Sequence, residues 1–268
     1  MKKYSFVGSD ERTNYLRKMF LEEGYEITDI LKSDIVVTSI PFSKNDKTLN
    51  SEDLSVEDFI RLTKNKIVIT GSIKEYIKAK FDKSTKIIDI MKCDELAIKN
   101  AVPTAEGAIF TAMKNSKTTI TNSKCLVLGF GKIGKNLALK LKGMDANVTC
   151  QARKEIDFST IESLGMKYLD ISKLQEKISE YEYIFNTIPY LILDSKVLKN
   201  VSKDSIIVDL ASVPGGVDFE FARKNNLNVE WSLGLPSKIA PKSAAKYLKE
   251  QIEKLDLTNL KDKICILM

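Results

Sequence analysis

The stretch SKCLVLGFGKIGKNLALKLKGMDANVTCQARK, residues 123–154, decides the fold. Four apolar residues, Cys125 to Leu128, read as a buried strand that runs into Gly129. A helix over about 133–142 and a second strand, Asn147 to Gln151, complete a β-α-β unit. Gly129, Gly131 and Gly134 stand between the first strand and the helix as G-x-G-x-x-G. That spacing has a physical logic. The first Gly permits the tight turn, the second lets backbone approach a pyrophosphate, and the third packs helix on strand. The helix N-terminus then presents free N–H groups and the positive end of its dipole to phosphate. Gly129, Phe130, Gly131, Lys132, Ile133 and Gly134 are therefore the expected dinucleotide loop.

Outward from this unit, 181–189, 204–212 and 227–236 read as three more strands with loops. A final helix follows Pro241, with Ala244, Leu248, Ile252 and Leu255 on one face, and the tail LKDKICILM is apolar enough to tuck against a domain. On the N-terminal side, KYSFVG, 33–43, 64–72 and 87–90 read as strands, and Asp10–Glu23 and 55–63 as helices. The segment 94–116 reads as a connecting helix, with Pro103 in its first turn. The expected fold is α/β: two Rossmann-like parallel-sheet domains with an interdomain cleft. The expected division is a substrate-side domain at 1–95, a connecting helix at 96–118, an NAD(P)-binding domain at 119–242, and a C-terminal helix and tail at 243–268.

Composition excludes several classes. The 268 residues are 43% hydrophobic and 29% charged, ordinary for a globular chain. No run approaches a membrane span, and the N-terminal apolar run is too short for a signal peptide, so a cytoplasmic location is expected. The net charge of +6 is spread over many Lys without a basic block interleaved with aromatics, which argues against nucleic acid. Cys93, Cys125, Cys150 and Cys265 form no C-x-x-C pair and read as thiols without a metal. There is no His at all, so acid/base work falls to Lys, Asp, Glu, Ser, Tyr or a cofactor.

The end of the second strand chooses the cofactor. An NAD site usually has a carboxylate there for the ribose hydroxyls. Gln151-Ala152-Arg153-Lys154 has none, and Arg153 with Lys154 would neutralise a 2′-phosphate, so NADP is expected with NAD as second choice. In open parallel sheets, ligands sit beyond the carboxyl ends of the strands. Thr187 and Pro189 are candidates to wall the nicotinamide ribose, and Ser212 with Gly215-Gly216 to line the ring and the substrate. Ser9 and Arg12, at the first helix N-terminus, are candidates for a substrate carboxylate. Lys242 is a second candidate cationic anchor for the substrate, and Glu106 the best carboxylate for a general acid. Asp209 and Asp218 are weaker bases, and Asp209 reads equally as a loop anchor.

Several segments together are similar to one family. They are G-S-D-E-R (8–12), P-T-A-E-G (103–107), L-G-F-G-K-I-G (128–134), N-T-I-P (186–189), D-L-A-S-V-P-G-G-V-D-F (209–219) and G-L-P-S-K-I-A-P-K-S-A (234–244). In this order they resemble the dehydrogenase subunits of bacterial dipicolinate synthase, across nearly the whole chain. The resemblance implies oxidation of a dihydrodipicolinate-type intermediate of the lysine pathway to pyridine-2,6-dicarboxylate, with NAD(P) as hydride acceptor. It also implies that the partner is a flavoprotein-like B subunit, and that expression takes place in the mother cell during sporulation. The layout is similar to that of D-2-hydroxyacid and alanine dehydrogenases, but the catalytic His of the hydroxyacid enzymes is missing here. A homo-oligomer, a nucleotide-binding scaffold whose partner does the chemistry, and a dehydrogenase of another small acid all remain open at this point.

Overall fold

A computed structural model describes residues 2–255. The apolar tail and Cys265 lie outside the described residues. The chain divides into two compact units: residues 1–100 with the segment from 240 onward, and residues 101–239.

The first unit alternates strand and helix: β1 (Tyr4–Val7), α1 (Glu11–Glu22), β2 (Ile35–Thr38), α2 (Val56–Leu62), β3 (Ile67–Thr70), α3 (Glu75–Lys78) and β4 (Lys86–Asp89). The four strands pair in parallel in the order β1-β2-β3-β4. Runs such as IVVT in β2 are buried throughout, as a sheet covered on both faces requires. Helix α1 starts where Asp10 caps it and stops before Gly24, whose φ is +82°.

Helix α4 (Asp94–Lys114) crosses from one unit to the other. The sequence pattern places Pro103 in a first turn; it lies inside this helix instead. Its ring leaves the Lys99 carbonyl without the usual helical donor. The boundary between the units, after Asn100, falls in the adjoining turn.

The second unit contains β5 (Lys124–Leu128), α5 (Lys132–Gly143), β6 (Asn147–Gln151), α6 (Glu155–Ser163), β7 (Lys167–Leu169), α7 (Leu174–Lys177), β8 (Tyr183–Asn186), α8 (Ser195–Leu198), β9 (Ile206–Asp209), α9 (Phe219–Lys224), β10 (Asn228–Trp231) and α10 (Leu235–Ile239). Its six parallel strands run β10-β9-β8-β5-β6-β7. The chain winds outward one way from β5 and the other way from β8. The switch point, where such sheets bind ligands, is therefore at the carboxyl ends of β5 and β8. Side chains from α4, α5 and α6 cover one face of this sheet, and side chains from α7, α8 and α9 the other.

Helix α11 (Pro241–Lys254) departs from the sequence reading, which sets it apart as a C-terminal segment. It belongs to the first unit. Ala245, Leu248 and Ile252 pack among Tyr4, Phe6, Leu16 and Phe20, covering a sheet face that α1 alone leaves partly open. Lys249 fastens it, meeting Glu23 Oε2 and Glu253 Oε1 at 2.6 Å each.

Candidate functional site

The turn after β5 is shaped by what its glycines lack. Gly129 has φ +93°, and a Cβ there would lie 2.4 Å from Thr187 Oγ1. A Cβ on Gly134 would lie 2.0 Å from the Gly129 carbonyl oxygen, so only glycine lets α5 sit this close to the turn. Gly131 is different. A Cβ there would meet nothing within 4 Å, so its bareness serves no contact among the described residues. Gly131 is also the N-cap of α5 and carries no capping side chain. Lys135 N donates to the Gly131 carbonyl, the first hydrogen bond of the helix. Open space over bare backbone, in front of a helix N-terminus and the positive end of its dipole, fits a pyrophosphate.

Three hydrogen bonds brace this turn. Gly129 N donates to the Gln151 carbonyl at 3.1 Å, and Thr187 donates both its N–H and its Oγ1–H to the Leu128 carbonyl at 2.9 Å. Thr187 is expected from sequence to wall the cofactor; its hydroxyl proton is committed to holding the turn. Phe130 points into the core, so it meets a ligand only through backbone. The Lys135 ammonium sits 5.1 Å from its ring centroid.

At the end of β6, Gln151 turns inward and donates Nε2 to the Ala152 carbonyl at 2.7 Å. Ala152 is buried, and Arg153 and Lys154 are exposed. Neither basic side chain has an ion-pair partner among the described residues, so both charges are free for an anion.

The loops after β8 and β9 are organised by two wholly buried polar residues, Asn186 and Asp209. Asp209 Oδ1 accepts from Asn186 Nδ2 at 2.8 Å and from Ala211 N at 3.1 Å; Oδ2 accepts from Gly216 N at 2.8 Å. This settles Asp209 as the loop anchor. It also corrects the expectation for Gly215 and Gly216, which are buried. A Cβ on Gly215 would lie 2.9 Å from Asp209 Oδ2, and one on Gly216 would lie 2.1 Å from Asn186 Nδ2. Their missing side chains make room for that pair, not for a ring. Ser212 and Pro189 are exposed at the loop tips. Trp231 escapes sequence reasoning. Its Nε1 donates to the Ala211 carbonyl at 2.9 Å, and its ring stacks on Phe219.

The carboxyl edge of the first sheet holds a second polar cluster. Gly8 has φ +139°, and a Cβ there would overlap Ser39 Oγ. Asp10 accepts from Thr13 Oγ1 at 2.7 Å and from Ser39 Oγ. Burial works to raise its pKa, but those hydrogen bonds outweigh burial and hold it below the usual carboxylate value. Arg12 is only 6% exposed, and Nη2 donates to the Ile40 carbonyl at 2.7 Å. Burial lowers its pKa against the opposing pull of Asp10. Ser9 is exposed, with its hydroxyl donated to the Ser51 carbonyl at 2.6 Å.

One expected catalytic group, Glu106, is not brought to the phosphate turn. Glu106 pairs with Lys140 at 2.8 Å on the surface of the second unit. Lys140 stands eight residues along α5 from Lys132, roughly 12 Å from the helix end that faces phosphate. Lys242 is exposed in the first turn of α11, in the first unit. No group of acidic, Cys or His side chains among the described residues can hold a metal ion. No described helix is long and apolar enough to cross a membrane.

Comparison with known proteins agrees with this geometry. Residues 98–213 match the NAD binding domain of D-isomer specific 2-hydroxyacid dehydrogenases. The dipicolinate synthase A chain of Bacillus subtilis (strain 168) is 31% identical over 220 residues, covering 82% of this chain and 72% of that protein. The chain belongs to this dipicolinate synthase family. Structures of family members from Bacillus halodurans and Bacillus subtilis each share 26% identity with it and cover 95% of it, with TM-scores of 0.87 and 0.83. They are themselves covered to 97% and 95%. Outside the family, D-lactate dehydrogenase of Escherichia coli has the same fold at 14% identity, with a TM-score of 0.63, covering 95% of this chain and 96% of that one. This is an oxidoreductase architecture that takes a nicotinamide cofactor.

Proposed function

We propose that this chain is the NADP-dependent dehydrogenase subunit of a dipicolinate synthase. It oxidises a dihydrodipicolinate-type cyclic dicarboxylate to pyridine-2,6-dicarboxylate. The observation that carries the reading is the bare, open backbone at Gly131 in front of α5, with unpaired Arg153 and Lys154 at the neighbouring strand end, where an NAD site usually has a carboxylate. Family membership supports the substrate class in this reading.

The residues divide the work. The turn from Gly129 to Gly134, with the N-terminus of α5, holds the pyrophosphate. Arg153 and Lys154 take the 2′-phosphate, which a carboxylate would repel. Thr187 keeps the turn in shape, and the loop tips at Pro189 and Ser212 flank the ring. Arg12 holds one substrate carboxylate, with Ser9 beside it. When bound, the nicotinamide supplies a hydride acceptor. The dihydro ring gives up one hydride and one proton, and the product is aromatic. Because aromatisation favours the step, water or a weak base suffices as proton acceptor, and orientation dominates the rate. The absence of His is then no obstacle. A partner in the form of a flavoprotein-like B subunit, together with a place in the cytoplasm of the mother cell during sporulation, goes with this reading.

A second reading, a nucleotide-binding scaffold whose partner does the chemistry, is favoured by Asp209. Its three hydrogen bonds go to Asn186 on β8 and to Ala211 and Gly216 in its own loop, so this carboxylate is not free as an acid or base. One set of measurements tests both. The wild type and Arg153→Ala are titrated with NADPH and NADH, and turnover is followed by nicotinamide absorbance with and without the partner. Arg153→Ala should weaken NADPH at least about tenfold more than NADH, the value of roughly one charge-assisted pair. Equal loss for both overturns the NADP assignment. Nucleotide binding with turnover only when the partner is present favours the scaffold.

A further inference from the structure

The basic strand end after β6 runs straight into two carboxylates. Helix α6 starts directly after Arg153 and Lys154, and Glu155 and Asp157 lie in its first turn. Acids there suit the helix dipole. Beside a 2′-phosphate they carry the wrong charge. Glu155 is exposed, so water and salt screen it. The Asp157 side chain is only 19% exposed, and its field is screened less.

Asp157 has a partner that the strand end does not supply. The Lys135 ammonium, on α5, meets Asp157 Oδ1 at 3.3 Å. Lys135 is held from two further directions. Its backbone N–H donates to the Gly131 carbonyl at 2.9 Å, which fixes it in the first turn of α5. Its ammonium also sits 5.1 Å from the ring centroid of Phe130, which is buried. Arg153 and Lys154 are close to Asp157 along the chain, yet the cation that pairs with it comes from the other helix.

We infer that Lys135 is a positioning residue for cofactor choice. It neutralises Asp157, so Arg153 and Lys154 stay unpaired and a 2′-phosphate meets no bare carboxylate. This rests on the NADP reading and adds a residue to it. Without Lys135, Asp157 either draws Arg153 or Lys154 into an ion pair or repels the phosphate itself. Both outcomes weaken NADPH and spare NADH, which has no 2′-phosphate. A carboxylate acting on a doubly charged phosphate across about 8 Å of water changes affinity about fivefold.

Calorimetric titration of the full chain with NADPH and NADH tests the assignment. Lys135→Met removes the charge and keeps an apolar stem against Phe130. It should weaken NADPH about fivefold and NADH by less than about twofold. Lys135→Gln removes the same charge and should do the same, so the test survives if one variant fails to fold. Adding Asp157→Asn to Lys135→Met should return the NADPH preference to within about twofold of wild type, because the unpaired carboxylate is gone. A pair that only ties two helices together gives a different result: both nucleotides weaken alike, and the second substitution rescues nothing. Either of those observations overturns the inference. Arg153→Ala, titrated alongside, separates the two ways of failing. If it weakens both nucleotides equally, the NADP reading falls and this inference with it. If it is selective for NADPH while Lys135→Met is not, this inference alone falls.

Discussion

Asn186 donates its side-chain amide to Asp209 Oδ1 at 2.8 Å, and neither residue has any exposed surface. They sit opposite each other at the last rung of the β8–β9 ladder. One bond thus couples the loop that braces the phosphate turn to the loop that carries Ser212. Replacing Asp209 by Ala takes the acceptor from the N–H groups of Ala211 and Gly216 and leaves the Asn186 amide nitrogen only the Ile188 carbonyl. It should cost about 3 kcal/mol, the usual loss when one partner of a buried charged network is removed. Urea unfolding measures this; a loss below about 1 kcal/mol would show that the network is dispensable.

Gly131 and Gly134 should separate folding from binding. Gly131→Ala puts a methyl group into open space at an extended backbone angle, φ −81°. The melting temperature should stay within about 3 °C of the wild type, since less than 1 kcal/mol is at stake. NADPH affinity should fall at least about tenfold, because the methyl group occupies the pyrophosphate position. Gly134→Ala meets the Gly129 carbonyl at 2.0 Å and should lower both. Calorimetric titration and a thermal melt on the same samples decide; unchanged affinity in Gly131→Ala would count against the cradle.

Arg12 should act on substrate rather than cofactor. Arg12→Lys keeps the charge but loses the forked geometry. Its KM for the dicarboxylate should rise about tenfold, the worth of one charge-assisted bond, while NADPH affinity holds. An unchanged KM would leave Arg12 as a brace for the Ile40 carbonyl and nothing more.

The Lys249 cluster should give stability a defined pH window. Burial works to lower the Lys249 pKa, but its bonds to Glu23 and Glu253 raise it above 10.5. The bond to Lys249 lowers Glu23 below 4.5. A raised Lys contributes up to its unfolded pKa and loses that contribution as pH climbs through the folded one. A lowered Glu contributes above its unfolded pKa and loses that contribution as pH falls through the folded one. The gap in unfolding midpoint between wild type and Lys249→Met should therefore be flat from about pH 5 to pH 10 and shrink on both sides. A gap that grows in acid would contradict the ion cluster.

Much of this was legible in the residues. Strand Asn147–Gln151 has the bounds its pattern suggests, and the G-x-G-x-x-G turn has the expected shape. Both depend on neighbours close in sequence: apolar runs, a glycine spacing, a helix start. The four-residue α3, α7 and α8 and the three-residue β7 were not legible. Pieces so short carry no periodicity, and their neighbours in space decide them. The glycine pair Gly215-Gly216 reads as room for a ligand because glycine shows only that a side chain is missing. Asp209 and Asn186, from other parts of the chain, decide what fills the room.

The sequence by itself determined two parallel α/β units, the phosphate turn and the basic strand end at Arg153. These follow from local backbone needs and from charge, which folding does not alter. Only the tertiary structure returned α11 to the first unit, placed Glu106 on Lys140 and gave Asp209 to its loop. Each of those depends on which side chains, distant in sequence, meet once apolar faces are buried. No spacing rule along the chain encodes that meeting.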